Sequence, residues 1–325
     1  MTKQILVLGS VNADHVLKVD AFPRPGETVT GSRYDVIPGG KGANQAVASA
    51  RLGGNTHFLA CVGQDAFGRE IVDKFAEDGI DTSLVEQVEG LNTGVALIFV
   101  DGHAENCIGI AAEANAALTP ERVLEKKAEI AGTDYLLMQL ETPEASILEA
   151  AKIARSTGVT VVLNPAPARP LSDELLANVD MITPNQTEAE LLTGVAVHNP
   201  ESACQAALVL HDKGISTVVI TMGRLGALIS DQQGARIVPS FDVSANDTTA
   251  AGDTFNGALL VKLAEGIGID GAARFANAAA GISVTRSGAQ TSIPGRDETE
   301  QFLAERMPHC DAHSSENVQQ IMIER

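Results

Sequence analysis

The chain has no tryptophan and only 2 tyrosines among 325 residues, and aromatic side chains make up 3% of it. A broad aromatic wall for a planar ligand is therefore hard to build. Small residues are plentiful instead, and glycine alone occurs 30 times. This composition is typical of helices packed closely on a sheet, and the length allows one large α/β domain with a small appendage.

Cysteine is also scarce, and its spacing points to no metal or disulfide chemistry. The four residues, Cys61, Cys107, Cys204 and Cys310, lie far apart and form no C-x-x-C pair. The pattern predicts neither a zinc site nor a disulfide framework. It favours buried or incidental thiols in a reducing cytoplasm.

Basic residues are few, 23 against 42 acidic ones, which gives a formal net charge of -19. This charge argues against nucleic acid or an anionic membrane as a partner, so any phosphate must be bound by local groups. No apolar run is long enough to span a bilayer. The run at residues 5–11 meets Asn12 and Asp14 instead of a small-residue cleavage site, so it predicts a strand in a cytoplasmic protein.

The most informative stretch that is present, DTTAAGDTFNG, covers residues 247–257. Small residues lead into a tight turn, and the apolar residues beyond it recur at helical spacing, which predicts a helix starting near Gly252. The amides at this turn would bind phosphate oxygens, and they belong to Ala250, Ala251, Gly252 and Asp253. The Asp253 carboxylate could then accept a proton from an attacking hydroxyl. The competing interpretation is an ordinary helix cap after a tight turn.

A second glycine-rich loop, PGGKGANQ, covers residues 38–45 and leads into a predicted helix. It is not a Walker A loop, because no glycine precedes Gly40 and Lys41 at the required spacing, where Asp35 and Val36 stand, and Gly42 follows Lys41 where Ser or Thr is required. The paired glycines instead let backbone amides approach a ligand, with Lys41 and Asn44 as polar contacts. The alternative is a plain glycine turn with a solvated lysine.

From residue 134 onward, compact apolar strands alternate with helical patterns. This alternation predicts right-handed βαβ units, with a mostly parallel central sheet covered by helices on both faces. Polar residues follow the strands at the carboxyl edge, where ligands bind in such sheets. They are Asn12 and Asp14, Glu141, Asn164, Asn185, and Thr221 with Gly223.

Two insertions interrupt the α/β pattern, at residues 15–37 and 93–110. Both contain short alternating stretches without helices, which predict antiparallel strands that form one small sheet, a lid beside the site. The expected division is an α/β domain of residues 1–14, 38–92 and 111–307, the lid, and a tail of residues 308–325. In the tail, disorder is favoured over a metal site formed by His309, Cys310 and His313.

The loops at residues 39–45 and 247–257 resemble the two signatures of the ribokinase (PfkB) carbohydrate kinase family. Shorter stretches are similar as well: Asn12-Ala13-Asp14, Gln139-Leu140-Glu141, residues 164–168 and residues 183–188. The resemblance covers residues 5–303. It implies a ribokinase-like fold and ATP-dependent phosphorylation of the D-ribose 5-hydroxyl, with Mg²⁺, with K⁺ as a monovalent activator, and with a homodimer formed through the lid.

The resemblance also implies roles for individual residues. The sugar site would comprise Asn12, Ala13, Asp14, Gly39, Gly40, Lys41, Gly42, Asn44 and Glu141, with Asp253 as the general base. The nucleotide site would comprise Asn185, Thr221, Met222, Gly223, Arg224, Leu225, Gly226, Gly252, Asp253 and Asn277, and Glu188 would assist Mg²⁺ through water. The K⁺ ligands, mostly carbonyl oxygens, would come from Asp247, Thr249, Ser283, Arg286, Gly288 and Ser292. Asp253 would need no raised pKa, because it takes its proton late.

Other functions remain open at this point. Within the same chemistry, the substrate could be 2-deoxyribose, a ketohexose or a nucleoside, although the shortage of aromatic residues favours a bare sugar. Outside the enzymes, a non-catalytic sugar-binding regulator is the alternative, and the intact Lys41 and Gly252-Asp253 pair argue against it. A nicotinamide enzyme is disfavoured because Val11 occupies the second glycine of its fingerprint.

Overall fold

A computed structural model describes residues 3–103 and 105–306. Its strands are β1 (Gln4–Leu8), β2 (Asn12–Lys18), β3 (Arg33–Gly39), β4 (Asn55–Gly63), β5 (Val85–Val88), β6 (Gly94–Val100), β7 (Asn106–Ala111), β8 (Tyr135–Met138), β9 (Thr160–Leu163), β10 (Met181–Ile182), β11 (Thr217–Thr221), β12 (Ala227–Asp231) and β13 (Gly234–Val238). Its α-helices are α1 (Lys41–Arg51), α2 (Ala66–Glu77), α3 (Pro120–Glu125), α4 (Lys127–Ala131), α5 (Glu144–Thr157), α6 (Asp173–Leu176), α7 (Gln186–Thr193), α8 (Pro200–Asp212), α9 (Ala251–Ala264), α10 (Ile269–Ser283) and α11 (Arg296–Glu305).

The large sheet has the spatial order β13-β12-β11-β10-β9-β8-β1-β4-β5 within the described residues. The strands from β11 to β5 in this order are parallel, whereas β12 and β13 extend the sheet by antiparallel pairing. Parallel strands need crossover helices, and the helices between them cover both faces. The predicted fold class, a mostly parallel sheet between helices, is confirmed.

The alternation of side chains along the strands divides the core into two layers. In β1, Leu6 and Leu8 pack into one hydrophobic cluster, and Ile5 and Val7 pack into the other. The first cluster lies under α3, α5 and α8, and the second lies under α1, α9 and α10. All four β1 side chains are fully buried, and each contributes about 1.5–3 kcal/mol relative to an exposed position. The sheet is therefore anchored on both faces.

Helices α1 and α9 cross closely because α9 carries Gly257 at the contact. A Cβ at Gly257 would lie 2.7 Å from the Ala48 Cβ and 2.7 Å from the Ser49 amide nitrogen. A larger residue would therefore push the helices apart. The close crossing brings the first turns of the two helices together at the carboxyl edge of the sheet, where Asn44 of α1 bonds to Asp253 of α9.

The small sheet has the order β3-β2-β6-β7. Each insertion supplies an antiparallel pair, β2 with β3 and β6 with β7, but β2 and β6 pair in parallel. The expectation of a purely antiparallel lid is therefore wrong at this central pairing, where the two insertions meet. The strands also extend beyond the expected insertions, because Asn12 pairs with both Gly39 and Gly94. The proposed domain boundaries stay a prediction.

Helix α11 closes the described part of the chain. Its Leu303 packs against the second hydrophobic cluster, and its Phe302 makes an edge contact with Phe241 at 5.3 Å between ring centroids. The tail at residues 308–325, with His309, Cys310 and His313, lies outside the described residues. Among the helices in residues 3–103 and 105–306, none combines the length and apolar character needed to cross a membrane.

Candidate active site

The loop after β1 holds the start of α1 against the carboxyl edge of the sheet. The Ser10 hydroxyl donates to Oε2 of Glu141 at 2.6 Å, and the Lys41 amide donates to the same oxygen at 2.9 Å. Gly40 has a φ of 90°, and a Cβ there would lie 2.9 Å from the Asn12 amide nitrogen. The turn therefore requires glycine. Ser10 is a site residue that the motifs do not single out, although it immediately follows the buried strand.

Two buried acceptor oxygens near the start of α1 have no hydrogen-bond partner among the described residues. They are Oδ1 of Asp14 and Oδ1 of Asn44. Gly39 leaves space for the Asp14 carboxylate, since a Cβ there would lie 2.0 Å from its Oδ2. Burial and the charge of Glu141 raise the pKa of Asp14 to about 7, even though a nearby lysine lowers it. Unpaired acceptors are costly, and the hydroxyl donors of a sugar would satisfy them.

Asn12 is oriented by a neighbour distant in sequence. Nδ2 of Asn115 donates to Oδ1 of Asn12 at 2.8 Å, and Oδ1 of Asn115 accepts from the Val11 amide at 2.8 Å. These bonds select the orientation of the Asn12 amide group. Ala13 lies between Asn12 and Asp14 on β2, so its buried side chain points to the opposite face. Any contact of Ala13 with a sugar is therefore limited to its backbone.

Asp253 lies in the first turn of α9 and is only 6% exposed. Its Oδ2 accepts from Nδ2 of Asn44 and its Oδ1 from Nε2 of Gln45, each at 2.9 Å. Burial raises the pKa of Asp253, while the charge of Lys41 and the two amide bonds oppose that rise. The expected reaction does not need this raised pKa, which follows from the interior position of the carboxylate.

Lys41 is the positive centre of the cluster. Burial alone would lower the pKa of its ammonium, but four carboxylates raise it: those of Asp253, Glu141, Glu188 and Asp14, in order of decreasing effect. The ammonium is therefore charged at neutral pH. It faces carboxylates on the sugar side and, through Glu188, on the nucleotide side, so it is placed to interact with a negative group held between them.

The start of α9 presents backbone donors beside Asp253. The first helical bond runs from the Thr254 amide to the Ala250 carbonyl at 2.8 Å, so the amides of Gly252 and Asp253 precede the helical hydrogen-bond ladder. Ala250 has a φ of 58°, which turns the chain into the helix. The Ala251 amide differs from expectation, because it donates to the Thr248 carbonyl at 3.3 Å and closes the turn. Of the four expected amides, that of Ala251 is engaged in the turn, whereas those of Gly252 and Asp253 lie at the positive end of the helix, where an anion would be bound.

A cavity of about 630 Å³ opens at the same helix start. It is lined by seven of the expected nucleotide residues: Asn185, Thr221, Gly223, Arg224, Gly226, Gly252 and Asn277. Its wall also includes residues that the motifs do not identify: Ser240, Phe241, Asp242, Val243, Ala245, Ala280, Gly281 and Val284. Those on α10 follow Asn277 at intervals of three and four, a helical spacing that could have indicated them. The segment after β13 carries no such signal.

The side chains of Met222 and Leu225 lie outside this wall, contrary to expectation. Met222 is 3% exposed and packs into the first hydrophobic cluster, and its amide donates to the Gly226 carbonyl at 2.8 Å. Leu225 is 47% exposed. The Gly223–Leu225 segment is a single 3₁₀ turn, so successive side chains point in different directions. Only some of this loop can face a ligand.

Asn185 and Glu188 cap α7 reciprocally. The Glu188 amide donates to Oδ1 of Asn185 at 2.9 Å, and the Asn185 amide donates to Oε2 of Glu188 at 2.8 Å. Burial raises the pKa of Glu188, against the effects of the Asn185 amide and Lys41. In the described part of the chain, no three His, Cys, Asp or Glu side chains are grouped to hold a metal. Mg²⁺ that arrives with a nucleotide needs no such cage, because phosphate and water supply most ligands.

Asp247 joins the two loops expected to hold K⁺. Its Oδ1 accepts from the amide of Thr249 at 2.9 Å and from its hydroxyl at 2.6 Å, and its Oδ2 accepts from the Gly288 amide at 2.9 Å. Burial alone would raise the pKa of Asp247, but these bonds hold it below its usual value. Oδ2 accepts only one of these bonds, so Asp247 could contact a cation through this oxygen or through its carbonyl oxygen.

The other expected K⁺ ligands lie around the end of α10. The Ser292 hydroxyl donates to the Ala289 carbonyl at 2.7 Å, and the Ser283 carbonyl accepts from the Arg286 amide at 3.1 Å. The Arg286 guanidinium pairs with Glu298, so only the backbone of Arg286 is suited to a cation. The expected ligands, mostly carbonyl oxygens with few free charges, would suit a monovalent hard cation.

Comparison with known sequences points to one family of kinases. The profile of the family described as pfkB family carbohydrate kinase matches residues 2–296. A ribokinase of Haemophilus influenzae is 54% identical over 303 residues, which cover 93% of this chain and 99% of that protein. The match therefore includes both glycine-rich loops and the carboxyl edge of the sheet.

Solved structures agree with the sequence comparison. The ribokinase of Thermotoga maritima has a TM-score of 0.86 at 40% identity, with 93% of this chain and 99% of that chain covered. Arabidopsis thaliana ribokinase complexed with ribose and ATP has a TM-score of 0.88 at 31% identity, with the same coverage. The chain described here belongs to the pfkB family of carbohydrate kinases.

Proposed function

We propose that this chain transfers the γ-phosphoryl group of ATP to the 5-hydroxyl of D-ribose, which yields D-ribose 5-phosphate and ADP. One observation carries the proposal: the buried Asp253 lies between unpaired acceptors suited to a sugar and a cavity of about 630 Å³ lined by Gly252 and Asn277. The relatives named ribokinase, and the Arabidopsis structure with ribose and ATP, support this choice of substrates.

In the proposed reaction, the sugar O5 forms a bond to the γ-phosphorus while the bond from that phosphorus to the β,γ-bridging oxygen breaks. The hydroxyl proton passes to the carboxylate of Asp253. The transition state is loose, so alignment and stabilisation of negative charge are the main tasks. The amides of Gly252 and Asp253 and the ammonium of Lys41 would stabilise that charge. Asp14, Asn44 and the other sugar-side groups would orient the hydroxyl.

A panel of sugars tests this proposal directly. ADP release with ATP and Mg²⁺ is measured for D-ribose, 2-deoxyribose, a ketohexose and a nucleoside, and the phosphorylated carbon is identified by NMR. We expect the largest kcat/KM with D-ribose and phosphate on its 5-position. A clear preference for another acceptor would show that D-ribose is not the substrate. If no sugar increases ADP release, the non-catalytic regulator becomes the better hypothesis.

Mg²⁺ belongs to the same proposal. Bound together with ATP, it would neutralise part of the negative charge of the phosphates. Glu188 would hold it through water, since the Asn185 amide donates to its Oε2 and so fixes the carboxylate. Burial raises the pKa of Glu188 and disfavours its ionised form, which a nearby cation would stabilise.

For K⁺, we propose that carbonyl oxygens of the loops around Asp247 and Ser292 bind the ion. The bound ion would fix the shape of the turn before α9. Replacing K⁺ by tetramethylammonium is expected to lower kcat by about tenfold, since a poorly held turn misaligns the amides of Gly252 and Asp253. Turnover is measured at constant ionic strength, and choline serves as a second large cation. Equal rates in all three salts would show that these loops are only structural.

We propose that the small sheet is a lid and that it also joins two copies of the chain. The pairing register places exposed Ile108 and Ile110 on the face that includes Asp14, and exposed Val36 and Leu97 on the other. So much exposed apolar surface on one small sheet is typical of an interface. Ile108→Asp is expected to convert a dimer into monomers in sedimentation equilibrium. A wild-type chain that is already monomeric would contradict the proposal.

We also place the protein in the cytoplasm, where ATP is available. Among the described residues, Cys61, Cys107 and Cys204 are free thiols, which a reducing compartment maintains. Burial raises the pKa of Cys61 to about 11, so this thiol is unreactive at neutral pH.

A further inference from the structure

Gln45 is the residue of the first glycine-rich loop to which the proposed reaction gives no role. Its side chain is fully buried at the start of the second turn of α1. Nε2 of Gln45 donates to Oδ1 of Asp253 at 2.9 Å and to Oδ1 of Asn164 at 3.0 Å. Oε1 of Gln45 accepts from Nε2 of Gln139 at 2.6 Å. The four side chains form a continuous chain of hydrogen bonds that ends on the catalytic carboxylate.

The direction of each amide in this chain is determined by its neighbour. Because Asp253 and Asn164 both present acceptor oxygens, Nε2 of Gln45 must face them, and its Oε1 then accepts from Gln139. Asn164 is held as well, since its Nδ2 donates to the Thr183 carbonyl at 3.0 Å and its Oδ1 therefore faces Gln45. A flipped Gln45 would place its oxygen against two acceptors. The network thus permits one arrangement of donors and acceptors.

Burial makes this arrangement effective. Gln139 is 1% exposed, and Asn164 and Asp253 are each 6% exposed, so water does not readily replace a lost donor. In such surroundings a hydrogen bond to an ionised carboxylate is stronger than a neutral one. Asn44 also donates to Asp253, but it belongs to the expected sugar site and its Oδ1 is one of the unpaired acceptors. Gln45 contacts the base from the protein interior.

We propose that Gln45 is a positioning residue for the phosphoryl-transfer reaction: held by Gln139 and Asn164, it fixes the orientation of the Asp253 carboxylate and favours its charged form. The inference rests on the proposed role of Asp253 as the base. It is supported by the pKa of Asp253, which burial and the charge of Glu141 raise and which Lys41, Asn44 and Gln45 act to lower. Without the Gln45 donor, the carboxylate would hold its proton to higher pH and rotate more freely.

The test is Gln45→Met, which keeps the length of the side chain and removes the donor. We expect kcat at pH 7 to fall by about tenfold, because one hydrogen bond to a charged group is lost. The acid limb of the pH profile of kcat should move up by about one pH unit. KM for ribose should change by less than about threefold, since Gln45 contacts the base and not the sugar.

Gln87→Met is the matched control, because Gln87 is exposed on β5. It should leave both kcat and the pH profile unchanged. Gln139→Met is the second test and keeps Gln45 in place while it removes the bond that orients it. Gln139→Met should move the acid limb in the same direction by a smaller amount. If the Gln45 variant does not bind ribose, this second variant alone tests the positioning role of Gln45.

Asp253→Asn is measured in parallel to separate this inference from the proposed function. Retained turnover in Asp253→Asn would remove the base assignment itself. If that variant is inactive while folded Gln45→Met and Gln139→Met keep the wild-type acid limb, the base assignment stands and the positioning role of Gln45 is rejected.

Discussion

Asp253→Asn is expected to lower kcat by roughly 10²-fold or more while ribose still binds. The substitution preserves the size of the side chain but removes the group that takes the hydroxyl proton, and general-base catalysis contributes about 10²–10⁴-fold. The environment argues for this role, since Asp253 is buried in the first turn of α9 beside the amide of Gly252. Steady-state kinetics give kcat, and isothermal titration gives the ribose affinity.

The new amide also meets two donors. Asn44 and Gln45 each donate to one carboxylate oxygen of Asp253, so the NH₂ of an introduced Asn must face one of them. This clash costs about 1–3 kcal/mol of stability and is checked by thermal unfolding. Asp253→Ala avoids the clash and should show the same loss of kcat. Asp297→Asn is the matched control, because Asp297 lies exposed in the first turn of α11. Near-normal turnover in both Asp253 variants would show that Asp253 is not the general base.

Local sequence patterns predict much of this fold, because its helices and strands depend largely on residues that are neighbours in sequence. The alternation of strands and helices after residue 134 predicts a parallel sheet, and the polar residues that follow its strands do lie at one edge. Asn164 and Glu141 both take part in hydrogen bonds there. The start of α9 is likewise predicted correctly, since the small residues and the helical spacing beyond them are local signals.

Long-range contacts are what the patterns do not predict. The parallel pairing of β2 with β6 depends on how two separate insertions meet, and the orienting bond from Asn115 to Asn12 spans 103 positions. Ser10 and Gln139 likewise act on groups far away in the chain. The cavity wall after β13 is irregular backbone without periodicity, so no local signal marks it. Tertiary proximity, rather than propensity, determines these parts of the site.

The opposite effects of one substitution, Asp14→Asn, test the electrostatics of the sugar site. Burial and Glu141 raise the pKa of Asp14 to about 7 in the sugar-free protein, from 3.8. A carboxyl group whose pKa is raised on folding does not destabilise the folded protein at a pH below its pKa in the unfolded chain, because it is protonated in both states. The loss of stability grows between pH 4 and 7 and reaches its full value above the pKa of the folded state. Asp14→Asn should therefore stabilise the sugar-free protein at pH 8 by up to about 4 kcal/mol, and have little effect at pH 4.

Ribose binding should respond in the other direction. The ionised carboxylate of Asp14 offers an unpaired Oδ1 acceptor to a sugar hydroxyl, and a hydrogen bond to a charged group contributes about 1.5–3 kcal/mol. Asp14→Asn should thus raise KM for ribose by about 10- to 100-fold at pH 8, and the wild-type affinity should weaken as the pH falls below 7. Thermal unfolding with and without ribose at several pH values measures both effects. Lower stability of the variant at pH 8 without sugar, or an unchanged KM, would contradict this account, because a buried carboxylate held ready for a sugar must weaken the empty protein and strengthen the complex.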